Sequence, residues 1–206
     1  MSESIDANRT IESQSSSREP GHSGDRYKLD PGVSRFTVRA FASGLLSAFG
    51  HSPTIAIRDF AGEAAFDPSH PESGSLHLTI KAASLRVTDD VSDKDRREIE
   101  REMQENVLES SKYPEIAYES SRVSVDNSGN GNNSVKLLGS LTLHGVTHNQ
   151  MIPARFALTG DLLRVFGEFT IRQSDYGIKP VSAIGGGLKV KDELKFSFDI
   201  VARRLE

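Results

Sequence analysis

The alternation of apolar and polar positions is clearest across residues 138–148, where Leu141 and Leu143 fall on one face. The pattern breaks at Gly145 and resumes across residues 151–158, with Phe156 and Leu158 in phase. A period of two predicts antiparallel strands, and Gly145 supplies the backbone freedom that the tight turn between them requires. The same grammar recurs on both sides. Residues 34–41 place Phe36, Val38 and Ala40 on one face, and residues 75–81 place Leu76, Leu78 and Ile80 inward. Residues 54–66 read as a long strand or a strand pair whose phase shifts near Asp59, which a bulge or a bend at Gly62 would explain. Further strands are expected at 115–125, with Ile116 and Tyr118 inward, at 162–171, with Val165 and Phe169 inward, and at 193–202, with Phe196 and Phe198 inward.

Two stretches depart from this period. Residues 43–52 fit a short helical turn as well as a bent strand. After residues 88–91, Ser92 is placed to cap a helix whose Ile99, Met103 and Val107 recur every fourth residue as one narrow apolar stripe. The charged residues on its other faces read as a solvated surface. About eight to ten short strands with turn signals between them, and one helix, predict an all-β fold: an antiparallel sheet closed into a barrel or stacked as a sandwich.

Composition narrows the picture. The 206 residues carry a net charge of −4 in mixed sign, so there is no basic face for nucleic acid and no polybasic membrane anchor. No run approaches the roughly 20 apolar residues of a transmembrane helix. Without cysteine, disulfides, thiolate metal sites and a cysteine nucleophile are excluded. Residues 1–25 hold Ile5 and Ile11 as their only large aliphatics and read as a disordered tail before a domain at 26–206. That tail lacks the charged start and apolar core of a secretory signal, so a cytoplasmic location is expected, with the periplasm as the alternative.

Candidate chemistry is sparse. His144 and His148 stand four apart, but they straddle a hairpin turn where that spacing does not bring two rings together, so no metal site is expected, and His144 is read as bonding turn backbone. A hydrolase would need Ser52 or Ser174 with His51 and Asp175, yet no nucleophile-elbow motif is present. Gly185, Gly186 and Gly187 precede a strand where a phosphate loop needs a helix. The inward residues named above contain many aromatics and no charge. A barrel of about eight strands is filled by such side chains or holds one slender apolar ligand, and the pattern alone leaves both open.

Several pieces stand in a familiar order: Tyr27-x-Leu29-Asp30-Pro31, Ser34-x-Phe36-x-Val38, Phe60-x-Gly62, Phe66-Asp67-Pro68, Tyr113-Pro114-x-Ile116, Gly139-x-Leu141-Thr142-Leu143-His144-Gly145-Val146-Thr147, and Ile171-Arg172-x-Ser174-Asp175-Tyr176-Gly177. Together they resemble the YceI-like family of polyisoprenoid-binding proteins. The resemblance implies a lipocalin-like antiparallel barrel of about eight strands with one helix, and a tunnel for an isoprenoid chain or another amphiphile. The inward residues, Leu158 included, are then the expected wall. His51, Arg172, Ser174 and Tyr176 are the expected head-group contacts at the mouth. The function expected is non-enzymatic carriage or sequestration of a hydrophobic small molecule, with no cofactor. The alternatives are an enzyme with its site around His51, Arg172, Ser174, Asp175 and Tyr176, or a filled barrel acting as an interaction module. A homodimer is left open.

Overall fold

The computed structural model describes residues 24–43, 52–125, 133–180, 182–183 and 188–206. Its strands are β1 (Asp25–Leu29), β2 (Arg35–Ser43), β3 (Thr54–Ile57), β4 (Phe60–Phe66), β5 (Ser75–Lys81), β6 (Leu85–Val87), β7 (Glu115–Val125), β8 (Ser134–Leu143), β9 (Val146–Thr159), β10 (Leu162–Arg172), β11 (Ser182–Ala183) and β12 (Leu188–Arg204). Helix α1 (Asp93–Glu102) lies between β6 and β7 and runs on into a π-helical turn, Met103–Val107. All strand pairings are antiparallel.

The long β12 closes the sheet. One of its edges pairs with β10 from Glu193 to Arg203. Its other edge carries β2 against residues from Lys189 to Asp199 and then β1 against Ala202 to Arg204. Strands β1 and β2 therefore lie end to end as one creased stave. In the same way β3 and β4 follow each other along the far side of that stave, and β6 and β5 along the next. With β7, β8, β9, β10 and β12 these make an eight-strand closed barrel.

The creases line up at 30–34, 58–59 and 82–84. Polar groups take up the backbone bonds that the ladder loses there. Ser34 Oγ donates to the Asp30 carbonyl (2.6 Å) and accepts from the Val201 amide (2.9 Å). The Asp59 amide donates to Ser84 Oγ (3.2 Å), and the Lys81 ammonium lies 2.8 Å from the Asp59 carboxylate. The phase shift in residues 54–66 is thus the Arg58–Asp59 break, not a bend at Gly62. The strand expected to resume at residue 151 starts already at Val146. Only His144 and Gly145 separate β8 from β9, both at positive φ (53° and 74°), the backbone of a tight hairpin turn. The proposed tail lies outside the described residues up to residue 23, and Asp25 is paired with Phe66 in β1. No helix among the described residues is long and apolar enough to cross a membrane.

The ladder between β7 and β8 slips between Ser120 and Arg122. Inward phase accordingly moves from Ile116 and Tyr118 to Val123, which is buried. Gly139 sits opposite the slip, and a Cβ there would stand 2.2 Å from the Glu119 carbonyl oxygen and 2.8 Å from the Ser120 Cα. Next to it the Tyr118 hydroxyl reaches the carbonyls of Leu137 (3.1 Å) and Gln150 (3.3 Å), tying β7 to β8 and β9.

Replacing Gly139 with Ala should lower stability by about 1–3 kcal/mol, because the obstacle is backbone on the neighbouring strand; urea unfolding reads this, and an unchanged midpoint would refute the close approach. Burial pushes the Tyr118 phenol from 10.0 up to about 12. Its proton is lost from the unfolded chain first, so its contribution to stability is complete below pH 10 and fades as pH rises towards 12. Tyr118→Phe should make the alkaline decline of stability shallower over that window, measured by denaturant unfolding at stepped pH.

Candidate functional site

The inward faces enclose a cavity of about 900 Å3. Its wall is built strand by strand: Phe36 and Val38 from β2, Leu76, Leu78 and Ile80 from β5, Ile116 and Tyr118 from β7, and Leu141 and Leu143 from β8. Phe156 comes from β9, Val165 and Phe169 from β10, and Phe196 and Phe198 from β12. Phe169 and Phe196 stack at 4.8 Å and 11°, while Phe36 meets Phe198 edge-on at 6.3 Å. One end is plugged by Phe66 packed against Phe156 (ring centroids 4.7 Å apart) and by the turn Pro71–Ser73, whose Pro71 is buried.

Leu158 keeps the inward phase of Phe156, but next to the β9–β10 turn its side chain is exposed and does not line the cavity, although its cross-strand partner Leu163 does. The expected mouth residues also fall elsewhere. Arg172 follows the last inward residue of β10, Ile171, so strand alternation turns it outward, where it is exposed. Ser174 donates its hydroxyl (2.6 Å) and amide (2.8 Å) to the Asp192 carboxylate, which these bonds hold below the usual carboxylate range. Tyr176 is buried, with its ring edge-on to His148 at 5.3 Å. Burial, helped by the Asp175 charge, raises its phenol above the ordinary value. None of these three lines the cavity, and His51 lies outside the described residues.

Of the hydrolase candidates, His51 lies outside the described residues, Ser52 Oγ accepts from the Ala42 amide (3.2 Å) and Ser174 bonds to Asp192; Asp175 meets His148 Nε2 through its backbone carbonyl, which lies 2.7 Å from that nitrogen. No cluster of histidine and carboxylate residues suited to a metal occurs among the described residues. His144 differs from its sequence-based role, since it faces the Glu109 carboxylate through Nε2 at 2.8 Å, under the Tyr113 ring. Both His144 and Glu109 adopt positive φ (53° and 44°), so the bond joins two tight bends and fixes the chain after the π-helical turn to the β8–β9 hairpin.

Sequence reasoning missed two components of the site. The first is the charged rim of α1. Ile99, Met103 and Val107 reach the cavity as their spacing predicts, but Asp95, Glu98, Arg101 and Glu102 line it too. The helix is held there by its contacts with the unpaired edge of β6. Arg96 donates to the carbonyls of Val87 (2.9 Å) and Asp89 (3.1 Å), and Glu100 accepts from the Val87 amide (2.9 Å). Its start is capped as expected, with Ser92 Oγ accepting from the Asp95 amide (3.1 Å). The second is Gln173, the only buried polar side chain among the described residues. Two positions beyond Ile171, it continues the inward phase of β10 and lines the cavity; reading the alternation past the strand end would have found it.

Comparison with known proteins agrees with this geometry. The YceI-like domain model matches residues 27–202. A UPF0312 protein of Pseudomonas savastanoi is 29% identical over 147 residues, covering 68% of this chain and 71% of the relative. A UPF0312 protein of Azotobacter vinelandii is 30% identical over 118 residues, covering 57% and 56%. Among solved structures, BcnA of Burkholderia cenocepacia superposes with a TM-score of 0.64 at 20% identity, covering 84% of this chain and 98% of that one. A polyisoprenoid binding domain from Saccharophagus degradans, described as implicated in plant cell wall breakdown, gives a TM-score of 0.60 at 16% identity, covering 87% and 98%. With a family model spanning nearly the whole barrel and the same fold in these structures, the chain belongs to the YceI-like domain family.

Proposed function

We propose that this chain binds a long apolar molecule, isoprenoid-like in character, inside the barrel, and that it carries or sequesters that molecule without transforming it. The observation that carries the proposal is the cavity itself: about 900 Å3, lined mainly by aliphatic and aromatic side chains that come from every strand of the ring. That volume is towards the upper end of the roughly 300–1,000 Å3 typical of small-molecule sites. A hydrocarbon chain would give the apolar lining close dispersion contacts along its length. Each methylene transferred from water into the cavity contributes about 0.8 kcal/mol before ordering costs. The description of the Saccharophagus domain as polyisoprenoid binding supports an isoprenoid over a straight acyl chain.

Native mass spectrometry of the full chain, followed by organic extraction, should reveal a bound lipid. Returning the extract or a polyisoprenol to stripped protein at about a hundred times its Kd should stabilise the fold by about 2.7 kcal/mol, a rise in Tm of roughly 5–10 °C for a domain of this size. A protein that is repeatedly empty, and whose Tm ignores isoprenoid and acyl lipids alike, would sink the reading.

A further inference from the structure

Among the residues that line the cavity, Gln173 is the one polar residue that is buried. Gln173 is 4% exposed, and its Nε2 donates to the Lys191 carbonyl at 2.9 Å. That bond fixes which end of the amide is nitrogen and leaves Oε1 as an acceptor without a hydrogen-bond partner among the described residues. The side chain is also held in place from behind. Gln173 opens the turn Gln173–Tyr176, whose Ser174 is clamped by Asp192 and whose Ile178 amide returns to the Gln173 carbonyl (3.1 Å). Gln104 Oε1 is the one sealed and unpaired side-chain polar atom among the described residues; Gln173 Oε1, unpaired but not sealed, is open to the cavity that its residue lines.

The register places this amide at the end of the barrel away from the Phe66–Phe156 plug. Ile171 pairs with Leu194, Leu194 with Ala40, and the Ala40 amide bonds to the Pro53 carbonyl; next to it the Thr54 amide bonds to the Asp89 carboxylate (2.6 Å). The charges lining the cavity are the acids Asp89, Asp95, Glu98 and Glu102 against the cations Arg101 and Lys189. Arg101 is already paired with Glu105 at 3.4 Å. Acid therefore outweighs base along the wall, and an anionic group brought there meets like charge.

We infer that Gln173 is the head-group anchor of the cavity and that it selects amphiphiles whose head donates a hydrogen bond and carries no negative charge, such as a terminal alcohol, rather than a phosphate or carboxylate. This rests on the reading of the cavity as a lipid site. An alcohol donates its O–H to Oε1. The methyl ether of the same chain presents acceptor to acceptor and leaves the amide unpaired. A phosphate ester adds charge repulsion, which weakens as salt is raised.

Displacement of an apolar fluorescent dye from the stripped full chain would compare geranylgeraniol, its methyl ether and its monophosphate. The alcohol should bind about fivefold to tenfold more tightly than the ether, the scale of one hydrogen bond, and the phosphate should bind more weakly still. In Gln173→Leu the alcohol and ether should bind alike, each compared with the dye's own affinity in that variant; Gln173→Met, closer in shape, serves the same comparison if the leucine variant does not fold. Equal binding of alcohol and ether to the unaltered chain, tighter binding of the phosphate, or a preference for the alcohol that survives in both variants would overturn the anchor. Dye displacement by all three with no preference leaves the lipid site standing without this anchor. Failure of dye and lipids alike to bind overturns the lipid site, and the anchor with it.

Discussion

The two-edged pairing of β12 is the constraint on which the rest of the structure depends. Because one edge carries β10 and the other carries β1 and β2, the backbone ladder returns to its start and the circumference of the ring is set by strand number, not by side-chain size. An open sheet with the same residues could curl until its apolar face was filled. A hydrogen-bonded ring cannot contract without breaking its ladder, and each backbone group left unpaired inside would cost as much as a lost hydrogen bond. Closure fixes the circumference, and the inward side chains of this sequence leave the centre of the ring open. A hydrocarbon guest would supply dispersion contacts that the walls, held apart by the ring, cannot make with one another.

Closure is also why the creases matter. Three of the staves break at matching heights, at 30–34, 58–59 and 82–84, so the barrel changes direction along a line instead of losing a strand. Beyond that line β6 presents a bare edge, the usual site of unwanted pairing. Here α1 answers it with side chains, Arg96 to the Val87 carbonyl and Glu100 to its amide. The helix is thus an edge cover and part of the cavity wall at once, and the bond between His144 and Glu109 secures the chain that leaves it.

Most of the barrel was legible because alternation is a local signal. Phe36 and Val38, Leu76 to Ile80, and Phe196 and Phe198 could be placed inward by counting twos, and Ile99, Met103 and Val107 by counting fours. What the sequence concealed was everything set by contacts between distant segments. The break at Asp59 looked like a bulge because its partners, Lys81 and Ser84, lie more than twenty positions away. His144 looked like turn furniture because Glu109 is far off in the chain. Of the residues that the family likeness puts at the mouth, Arg172 lies outward by phase, between Ile171 and Gln173, and Ser174 and Tyr176 sit in the turn after β10, where strand phase no longer tells direction. Leu158 has the inward phase yet is exposed beside the β9–β10 turn, because alternation gives direction without depth.

The contrast between wall and rim bears on what kind of specificity such a site can have. Apolar contact grows with chain length and is indifferent to which end of a guest enters first, so the phenylalanines of β2, β10 and β12 give affinity with little discrimination. Orientation has to come from a polar group, and a buried one carries a cost whenever the cavity is empty. An ionised side chain would hold a charged head strongly, but unpaired in an empty barrel it would cost far more than a neutral amide. Gln173 limits that cost in two ways: half of its amide is always bonded to Lys191, and the other half is a single acceptor. A neutral anchor of this kind keeps the unliganded barrel stable, and the same neutrality leaves the acids of α1 and Asp89 to set the sign of charge that the site rejects.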